Sequence, residues 1–105
     1  MRRMSPDPNE ELRSMLGFAM KAGKVRSGAT AAETALKNGS AYVAVLDASS
    51  SDNSKKHWSD ICNNTDVPLI FTEDVGRAIG RESHMIACVT DKGFAAAIMR
   101  KAMKS

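Results

Sequence analysis

Histidine, serine, cysteine and the acidic residues are the side chains that most often carry enzymatic chemistry, and this sequence spaces them poorly for that task. Its two histidines are His57, beside Trp58 on a predicted helix, and His84, in a polar loop. Neither stands at a recognisable spacing from a serine or cysteine nucleophile, and no carboxylate pair flanks them. Both are predicted to be solvated surface residues. The sequence therefore predicts a protein that is not an enzyme.

Metal and cofactor sites are not predicted either. The two cysteines, Cys62 and Cys88, lack the Cys-x-x-Cys or Cys/His spacing of zinc sites. They are predicted to be reduced, buried thiols that act as small apolar side chains. Two glycine-containing turns, at residues 76–80 and 91–93, lack the glycine spacing after a strand that nucleotide phosphates require. No cofactor is expected.

Two features near predicted strand ends could still bind a ligand. Asp47 ends the second predicted strand, on the side of an α/β sheet where ligands gather, although a carboxylate there can equally cap a loop. The turn at residues 26–30 joins the first strand to the second helix. A helix N-terminus that follows glycine presents free N–H groups and partial positive charge to a phosphate. Lys24, Arg26 and Lys37 could surround such a phosphate.

The overall composition indicates one globular domain with a mild basic excess. The chain has 105 residues, of which 43% are hydrophobic and 26% charged, with a net charge of +3 and a pI of about 9.1. This charge permits a polyanionic partner without requiring one. The basic start of the chain runs into Ser5, Pro6, Asp7 and Pro8 instead of an apolar segment, and no run approaches the ~18 apolar residues of a membrane span. A cytoplasmic location without membrane contact is expected.

The residues considered above must be positioned by secondary structure, and the pattern predicts alternating helices and strands. The first helix is predicted to have Asp7 as N-cap and Pro8 as its first residue, after a loose lead-in at residues 1–7, and to end at Gly23. Apolar runs predict the strands, and a 3.6-residue period predicts the helices. The strands are expected at residues 24–27, 42–46, 67–71 and 85–89. The second helix is expected at residues 28–38, and the third from Asp52 or Ser54 to residue 63. The fourth helix is expected to follow an N-cap at Thr72, and the fifth an N-cap at Thr90 or Asp91.

The strand predicted at residues 42–46 is apolar at every position, which is typical of a strand covered by helices on both faces. We therefore expect an α/β fold, a three-layer α/β/α sandwich around a four-stranded mixed sheet, in a single domain over residues 1–105. The side chains predicted to face inward from the last four helices are Ala32, Ala35, Leu36, Trp58, Ile61, Cys62, Val75, Ala78, Ile79, Phe94, Ala97, Ile98 and Ala102.

Several segments resemble one known family. The first match lies at residues 16–28, which read Leu-Gly-Phe-Ala-Met-Lys-Ala-Gly-Lys-Val-Arg-Ser-Gly. This segment looks like the opening of the YlxQ-type bacterial RNA-binding proteins, a branch of the superfamily of ribosomal proteins L7Ae and L30e. The resemblance extends in the same order over residues 12–101. Its further matching segments are residues 45–49, 52–56, 67–68, 75–80 and 87–94.

This resemblance implies both a fold and a function. The fold would be the same α/β/α sandwich, and the function would be the binding of RNA, typically a kink-turn, through the turn before the second helix and two neighbouring loops. A ribosome- or translation-associated role would follow, with ribosomal or ribonucleoprotein components as further partners of a monomeric chain. The residues implied to contact RNA are Lys24, Arg26, Ser27, Gly28, Ala29, Thr30, Thr34, Lys37, Asp47, Arg81, Glu82, Ser83 and His84.

The sequence departs from the family at one motif. Kink-turn binders of the family carry Gly-x-Asn-Glu-x-x-Lys at this turn, and its polar side chains reach the sheared G·A pairs. Here Gly28 matches, but Thr30, Ala31 and Thr34 stand in the Asn, Glu and Lys positions. Hydroxyls cannot make the bidentate contacts worth ~1–3 kcal/mol each. The altered motif favours a second hypothesis, a protein-interaction module on the same scaffold, whereas the basic residues near Gly28 favour RNA.

Overall fold

Helices and strands alternate along the chain as the sequence predicts. The computed structural model describes residues 9–103. Its elements are α1 (Glu10–Lys21), β1 (Val25–Ser27), α2 (Ala29–Lys37), β2 (Val43–Asp47), α3 (Asp52–Thr65), β3 (Leu69–Thr72), α4 (Val75–Ile79), β4 (Ile86–Val89) and α5 (Lys92–Met103). The predicted lead-in at residues 1–7 and the predicted cap at Asp7 and Pro8 lie outside the described residues, and α1 begins at Glu10 with Asn9 in the N-cap position.

The four strands form one mixed sheet in the order β1-β4-β2-β3. β4 pairs antiparallel with both of its neighbours, whereas β2 and β3 pair in parallel. The carboxyl ends of β1, β2 and β3 therefore share one edge of the sheet with the start of β4. We call this the loop edge. It comprises the β1–α2 turn (27–28), the β2–α3 turn (48–51) and the α4–β4 loop (80–85).

Helices cover both faces of the sheet, which confirms the predicted α/β/α sandwich. Because successive side chains of a strand point to opposite faces, Val43 and Val45 pack against one helical layer while Ala44 and Leu46 pack against the other. The layer of α1, α4 and α5 supplies Leu12, Leu16, Ala19, Val75, Ile79, Ala95 and Ile98 to its core cluster. The layer of α2 and α3 supplies Ala32, Ala35, Leu36, Trp58 and Cys62 to the other.

The predicted boundaries of β2 and α3 were partly wrong. Tyr42, predicted to begin β2, lies outside it and is exposed, whereas the strand ends at Asp47, directly after the predicted apolar run. α3 is capped by Ser51 and not by Asp52 or Ser54, because Ser51 has the extended backbone of an N-cap and its hydroxyl accepts a 3.2 Å hydrogen bond from the Ser54 N–H. α3 also continues beyond the predicted residue 63, to Thr65.

The predicted caps of the last two helices had different outcomes. Thr72 does not cap α4: it is the buried last residue of β3, and the N-cap position belongs to Asp74, whose φ is 58°. Gly80 ends α4 as predicted, in the left-handed conformation. At α5, the Asp91 carboxylate accepts a 2.8 Å hydrogen bond from the Phe94 N–H. Of the two predicted N-caps, Thr90 and Asp91, the structure therefore confirms Asp91.

The inward face of α5 was predicted only in part. Ile98 is buried as expected, but Ala97 is only half-buried. Ala95, which the prediction omitted, is buried against the core. The period of the helix identified its apolar side, and its packing against the core determined which residues on that side are fully buried.

All five helices are short. The longest, α3, has 14 residues, whereas a helix needs about 20 residues to cross the hydrocarbon core of a bilayer. Within residues 9–103, none of the helices combines the length and apolar character needed to span a membrane.

Both cysteines are buried free thiols in the core cluster beneath α2 and α3. Burial raises the pKa of the Cys62 thiol. Burial, and secondarily the nearby Cys62, raises the pKa of Cys88 to about 12. The Cys88 thiol also donates a 3.7 Å hydrogen bond to the Ala32 carbonyl. Because the thiolate is the reactive form, both residues are expected to be inert in the folded protein.

We predict that a chromogenic disulfide reagent at pH 8 modifies neither cysteine of the native protein within minutes and modifies both once the chain is denatured. Absorbance of the released thiolate measures the stoichiometry. The control is Ser83→Cys, which adds an exposed thiol in the α4–β4 loop and should react at once. Rapid modification of both thiols in the native wild type would contradict the burial of these residues.

Candidate functional site

The β1–α2 turn depends on an unusual backbone conformation at Gly28. Its φ of 87° and ψ of 158° lie in a region that is almost exclusive to glycine. This geometry lets the Gly28 N–H donate a 3.0 Å hydrogen bond to the Ile86 carbonyl at the start of β4. The chain then turns directly into α2, and the Gly28 carbonyl accepts from the Ala32 N–H. The glycine that begins the family motif is therefore required by backbone geometry.

His84 closes this turn from the neighbouring loop. Its Nδ1 and the Ser27 Oγ share a hydrogen bond of 2.7 Å across the sheet edge. Its ring lies against Gly28 so closely that a Cβ there would stand 3.2 Å from Cε1 and Nε2. His84 is half-buried, so its prediction as a solvated histidine was wrong, whereas His57 is exposed and contacts Trp58 edge to face. The contact of His84 with Gly28 has no signal in the sequence.

Asp47 organises the loop edge from the inside. Its Oδ1 accepts hydrogen bonds from the N–H and the hydroxyl of Ser49, at 2.9 and 2.7 Å, and its Oδ2 accepts one from the Val75 N–H at 3.1 Å. Burial by itself would raise the pKa of this carboxyl, but the hydrogen bonds outweigh burial and hold the pKa below its ordinary value. Of the two alternatives that the sequence left open for Asp47, the structure supports the loop cap.

The α4–β4 loop presents three exposed side chains, Arg81, Glu82 and Ser83. Gly76 of α4 fixes its path, because a Cβ at Gly76 would stand only 2.7–2.9 Å from the carbonyl oxygens of Arg81, Glu82 and His84. The Arg81 N–H donates a 2.8 Å hydrogen bond to the Gly76 carbonyl. The loop is thus held against α4 by backbone contacts, which leaves its side chains directed to solvent.

The N-terminus of α2 offers hydrogen-bond donors at the same edge. No side chain caps this helix, and its first N–H groups have no acceptor within the helix. Ala29, Thr30 and Thr34 are exposed around it. Free N–H groups and the positive end of the helix dipole make such a terminus suited to a phosphate oxygen. The structure thus brings Ser27, Gly28, the start of α2 and the α4–β4 loop together.

The three cations predicted to surround this helix terminus are not gathered there. The Lys24 carbonyl pairs with Thr90, at the far end of β4 from the Gly28 contact. The Arg26 guanidinium donates to the carbonyls of Gly23 and Val25, at 3.4 and 3.2 Å, and so turns back towards the start of β1. Lys37 lies in the last turn of α2, where it forms an ion pair with Glu33 at 2.7 Å.

Other charged residues lie at the loop edge instead. Lys55 stands in the first turn of α3, which begins at this edge, and exposed Arg77 lies on α4. Neither was among the predicted site residues, although the family resemblance over residues 52–56 and 75–80 was the available signal. Glu73 and Asp74 line a depression of about 360 Å³ beside the β2–α3 turn. The loop edge therefore carries charges of both signs.

These features define a class of protein: a small α/β/α sandwich that presents three loops and an uncapped helix N-terminus on one edge of a mixed sheet. Comparison with known sequences places it more closely. A family model matches residues 10–99, and the chain belongs to the ribosomal protein L7Ae/L30e/S12e/Gadd45 family. This match confirms the predicted resemblance to the superfamily, and the matched segment includes the whole loop edge.

Individual relatives agree with this assignment. The RNA-binding protein YlxQ of Bacillus subtilis (strain 168) is 37% identical over 84 residues, which cover 77% of this chain and 84% of that protein. A protein with unknown function from Bacillus halodurans C has a similar structure, with a TM-score of 0.83 and 25% identity over 90% of this chain and 98% of that one. The Giardia lamblia 15.5kD RNA binding protein shares the fold, with a TM-score of 0.76 at 18% identity over 98% and 93% of the two chains.

We predict that Gly28→Ala lowers the free energy of unfolding by on the order of 1–3 kcal/mol, because the backbone of an alanine is strained at this φ and ψ. Urea denaturation measures the loss. The exposed neighbour provides a control, since Ala29→Ser should change stability by no more than about 0.5 kcal/mol. Adding His84→Ala to Gly28→Ala should not restore wild-type stability, since the strain is in the backbone. Full recovery in the double variant would assign the effect to the ring contact alone.

We also predict a pH-dependent loss of stability in Asp47→Asn. The folded-state pKa of Asp47 lies below its ordinary value of 3.8, so its contribution is complete above that value and is lost as pH falls through the folded-state pKa. At neutral pH the amide cannot accept at both positions, and the loss should be ~1–3 kcal/mol. Urea denaturation should show this difference shrinking in acid, and Asp60→Asn, at an exposed ion pair, should show only a small loss. A difference between wild type and Asp47→Asn that stays constant down to acid pH would contradict this role.

Proposed function

We propose that this protein binds RNA through the loop edge. The observation that carries the proposal is the 37% identity to the Bacillus subtilis RNA-binding protein YlxQ, together with a family match that includes all three loops. The geometry supports it, because the uncapped start of α2, Ser27 and His84 adjoin one another on the surface. Backbone N–H groups at a helix start and polar side chains on adjacent loops are suited to phosphate and base contacts.

The proposed target is a kink-turn or a similarly bent RNA. A sharp bend in an RNA brings phosphates and base edges close together, so that the several loops of the loop edge could contact them at once. Thr30 and Thr34 lie on the exposed surface of α2, one turn apart, so both can reach the same groove of the RNA. Because each offers only a hydroxyl, base readout is expected to be weaker than in relatives with the full motif.

Phosphate contacts are then expected to supply most of the affinity. Candidate groups are the N–H groups at the start of α2, the exposed side chain of Arg81 and the half-buried side chain of Lys55 near the loop edge. The proposed interface also includes Glu82, Ser83 and His84. Such contacts position an RNA without specifying its sequence, and they weaken as the salt concentration rises.

A second candidate is a protein-interaction module on the same scaffold, favoured by the loss of three polar readers at Thr30, Ala31 and Thr34. The RNA proposal is preferred because of the similarity to YlxQ. We further propose a ribosome- or translation-associated role, in the cytoplasm, for a chain that acts as a monomer. It rests on family membership.

The altered motif supplies the sharpest test. The triple variant Thr30→Asn, Ala31→Glu, Thr34→Lys restores the side chains that the family uses, on exposed or half-exposed positions of α2. It should gain affinity for a kink-turn RNA with intact G·A pairs and gain little for one with those pairs disrupted. Electrophoretic shift at a fixed salt concentration measures both affinities. If the variant gains affinity for neither RNA while the wild type binds no RNA, the protein-interaction candidate becomes the better one.

The separation of the cations gives a second comparison in the same assay. Arg81→Gln, at the loop edge, should weaken the binding of both RNAs equally. It should also reduce the slope of log affinity against log salt concentration by about one. Its matched control is Lys37→Gln, at the opposite end of α2, which should leave the slope unchanged. The reverse ranking would place the RNA beside Lys37 and away from the Gly28 turn.

A further inference from the structure

A groove of about 520 Å³ lies between α1 and α4, outside the proposed loop-edge contacts. It forms where the two helices approach closely, because Gly17 has no side chain and a Cβ there would stand 3.0 Å from the Ala78 carbonyl oxygen. Phe18 follows on the wall of the groove with 57% of its surface exposed, more than any other aromatic side chain in residues 9–103. An exposed aromatic ring on the wall of a groove offers a flat apolar surface on which a ligand can stack.

The charges around this ring are mainly positive. Arg13, Lys21 and Arg77 line the groove together with one carboxylate, Glu10. Neither Lys21 nor Arg77 forms an ion pair with another described residue, whereas Arg13 donates a hydrogen bond to the Thr72 hydroxyl at 3.3 Å. Two uncommitted cations beside an exposed aromatic ring complement a ligand that is both flat and anionic. A nucleotide has both properties, since its base stacks on the ring and its phosphate meets the cations.

The groove and the loop edge meet at Arg77. This residue lines the groove on one side, and on the other it lines a depression that also contains Gly76 and the carboxylates of Asp47, Asp74 and Glu82. An RNA strand leaving the loop edge over α4 would therefore reach Arg77 first and Phe18 next. The base that meets Phe18 must be unpaired, because a base inside a duplex is already stacked on its neighbours.

We propose that the Phe18 groove binds an unpaired nucleotide of a strand that extends from the RNA held at the loop edge. Phe18 provides the stacking surface, and Lys21 and Arg77 contact the flanking phosphates. This inference rests on the proposed function and adds a feature to the RNA: a single-stranded extension beside the bent helix. Stacking on one ring accepts any base, so the groove would add affinity without adding sequence specificity.

The test uses a kink-turn RNA with blunt ends and the same RNA with a short oligoadenosine tail on its 5′ or its 3′ end. The wild type should bind one tailed RNA roughly 5- to 150-fold more tightly than the blunt one, the range expected for stacking of a base on an aromatic ring. Phe18→Ala should abolish this gain and leave the affinity for blunt RNA unchanged. Phe18→Trp should retain the gain.

A matched control is available in Phe71→Ala. Phe71 is also exposed, but it pairs in register with Leu46 and so lies on the α2–α3 side of the sheet, away from the groove. This variant should keep the full gain from the tail. Lys21→Gln should lower the salt dependence of binding for the tailed RNA only. Melting temperatures of all variants identify any general loss of folding.

The outcomes separate the two proposals. A wild type that binds blunt RNA but gains nothing from either tail overturns the groove proposal alone. The same follows if Phe18→Ala keeps the gain, and the groove would then be better explained by a protein partner. A wild type that binds neither blunt nor tailed RNA overturns the proposed function itself, and the groove proposal fails with it.

Discussion

The antiparallel placement of β4 between β1 and β2 is the constraint on which the loop edge depends. In a sheet whose strands were all parallel, only carboxyl-terminal loops would meet at this edge. Reversing β4 brings the segment before it to the same place, so His84 lies beside Gly28 and the Met85 carbonyl accepts from the Asp47 N–H at 2.8 Å. Three segments distant in sequence thereby become one surface. The backbone hydrogen bonds of β4 fix their relative positions.

Hydrogen bonds join the segments of the loop edge to one another, and its outer surface is accessible to a ligand. Several of its polar groups are paired: the Asp47 carboxylate accepts hydrogen bonds from Ser49 and Val75, and Ser27 and His84 share one. An unsatisfied buried carboxylate would cost several kcal/mol, so these contacts stabilise the loops they join. The buried Ser50 hydroxyl, in contrast, has no hydrogen-bond partner among the described residues. The N–H groups at the start of α2 are left for solvent or a ligand. Such preorganisation lowers the entropic cost of binding, since the loops need not be ordered by the ligand.

Positive charge is distributed over the surface, and this bears on how an RNA could be held. Lys24 and Lys37 lie at the far end of β1 and α2, Arg81 lies at the loop edge, and Lys21 and Arg77 lie at the α1–α4 groove. These five cations, all within residues 9–103, do not form a single cluster. An RNA bound at the loop edge and extended over α4 would use several weak contacts, each screened by salt, in place of one strong basic patch.

The sequence by itself determined the order of the elements, the class of the fold and the family, because hydrophobic period, glycines and motif spacing are local properties. It also identified Gly28 and Gly80, whose backbone conformations few other residues adopt. Only the tertiary structure decided that His84 closes the Gly28 turn and that Lys24 lies at the other end of β4 from it. Those relations depend on which strands pair and in which direction. The pairing of the strands is set by the packing of the whole core, so it cannot be inferred from any local segment of the sequence.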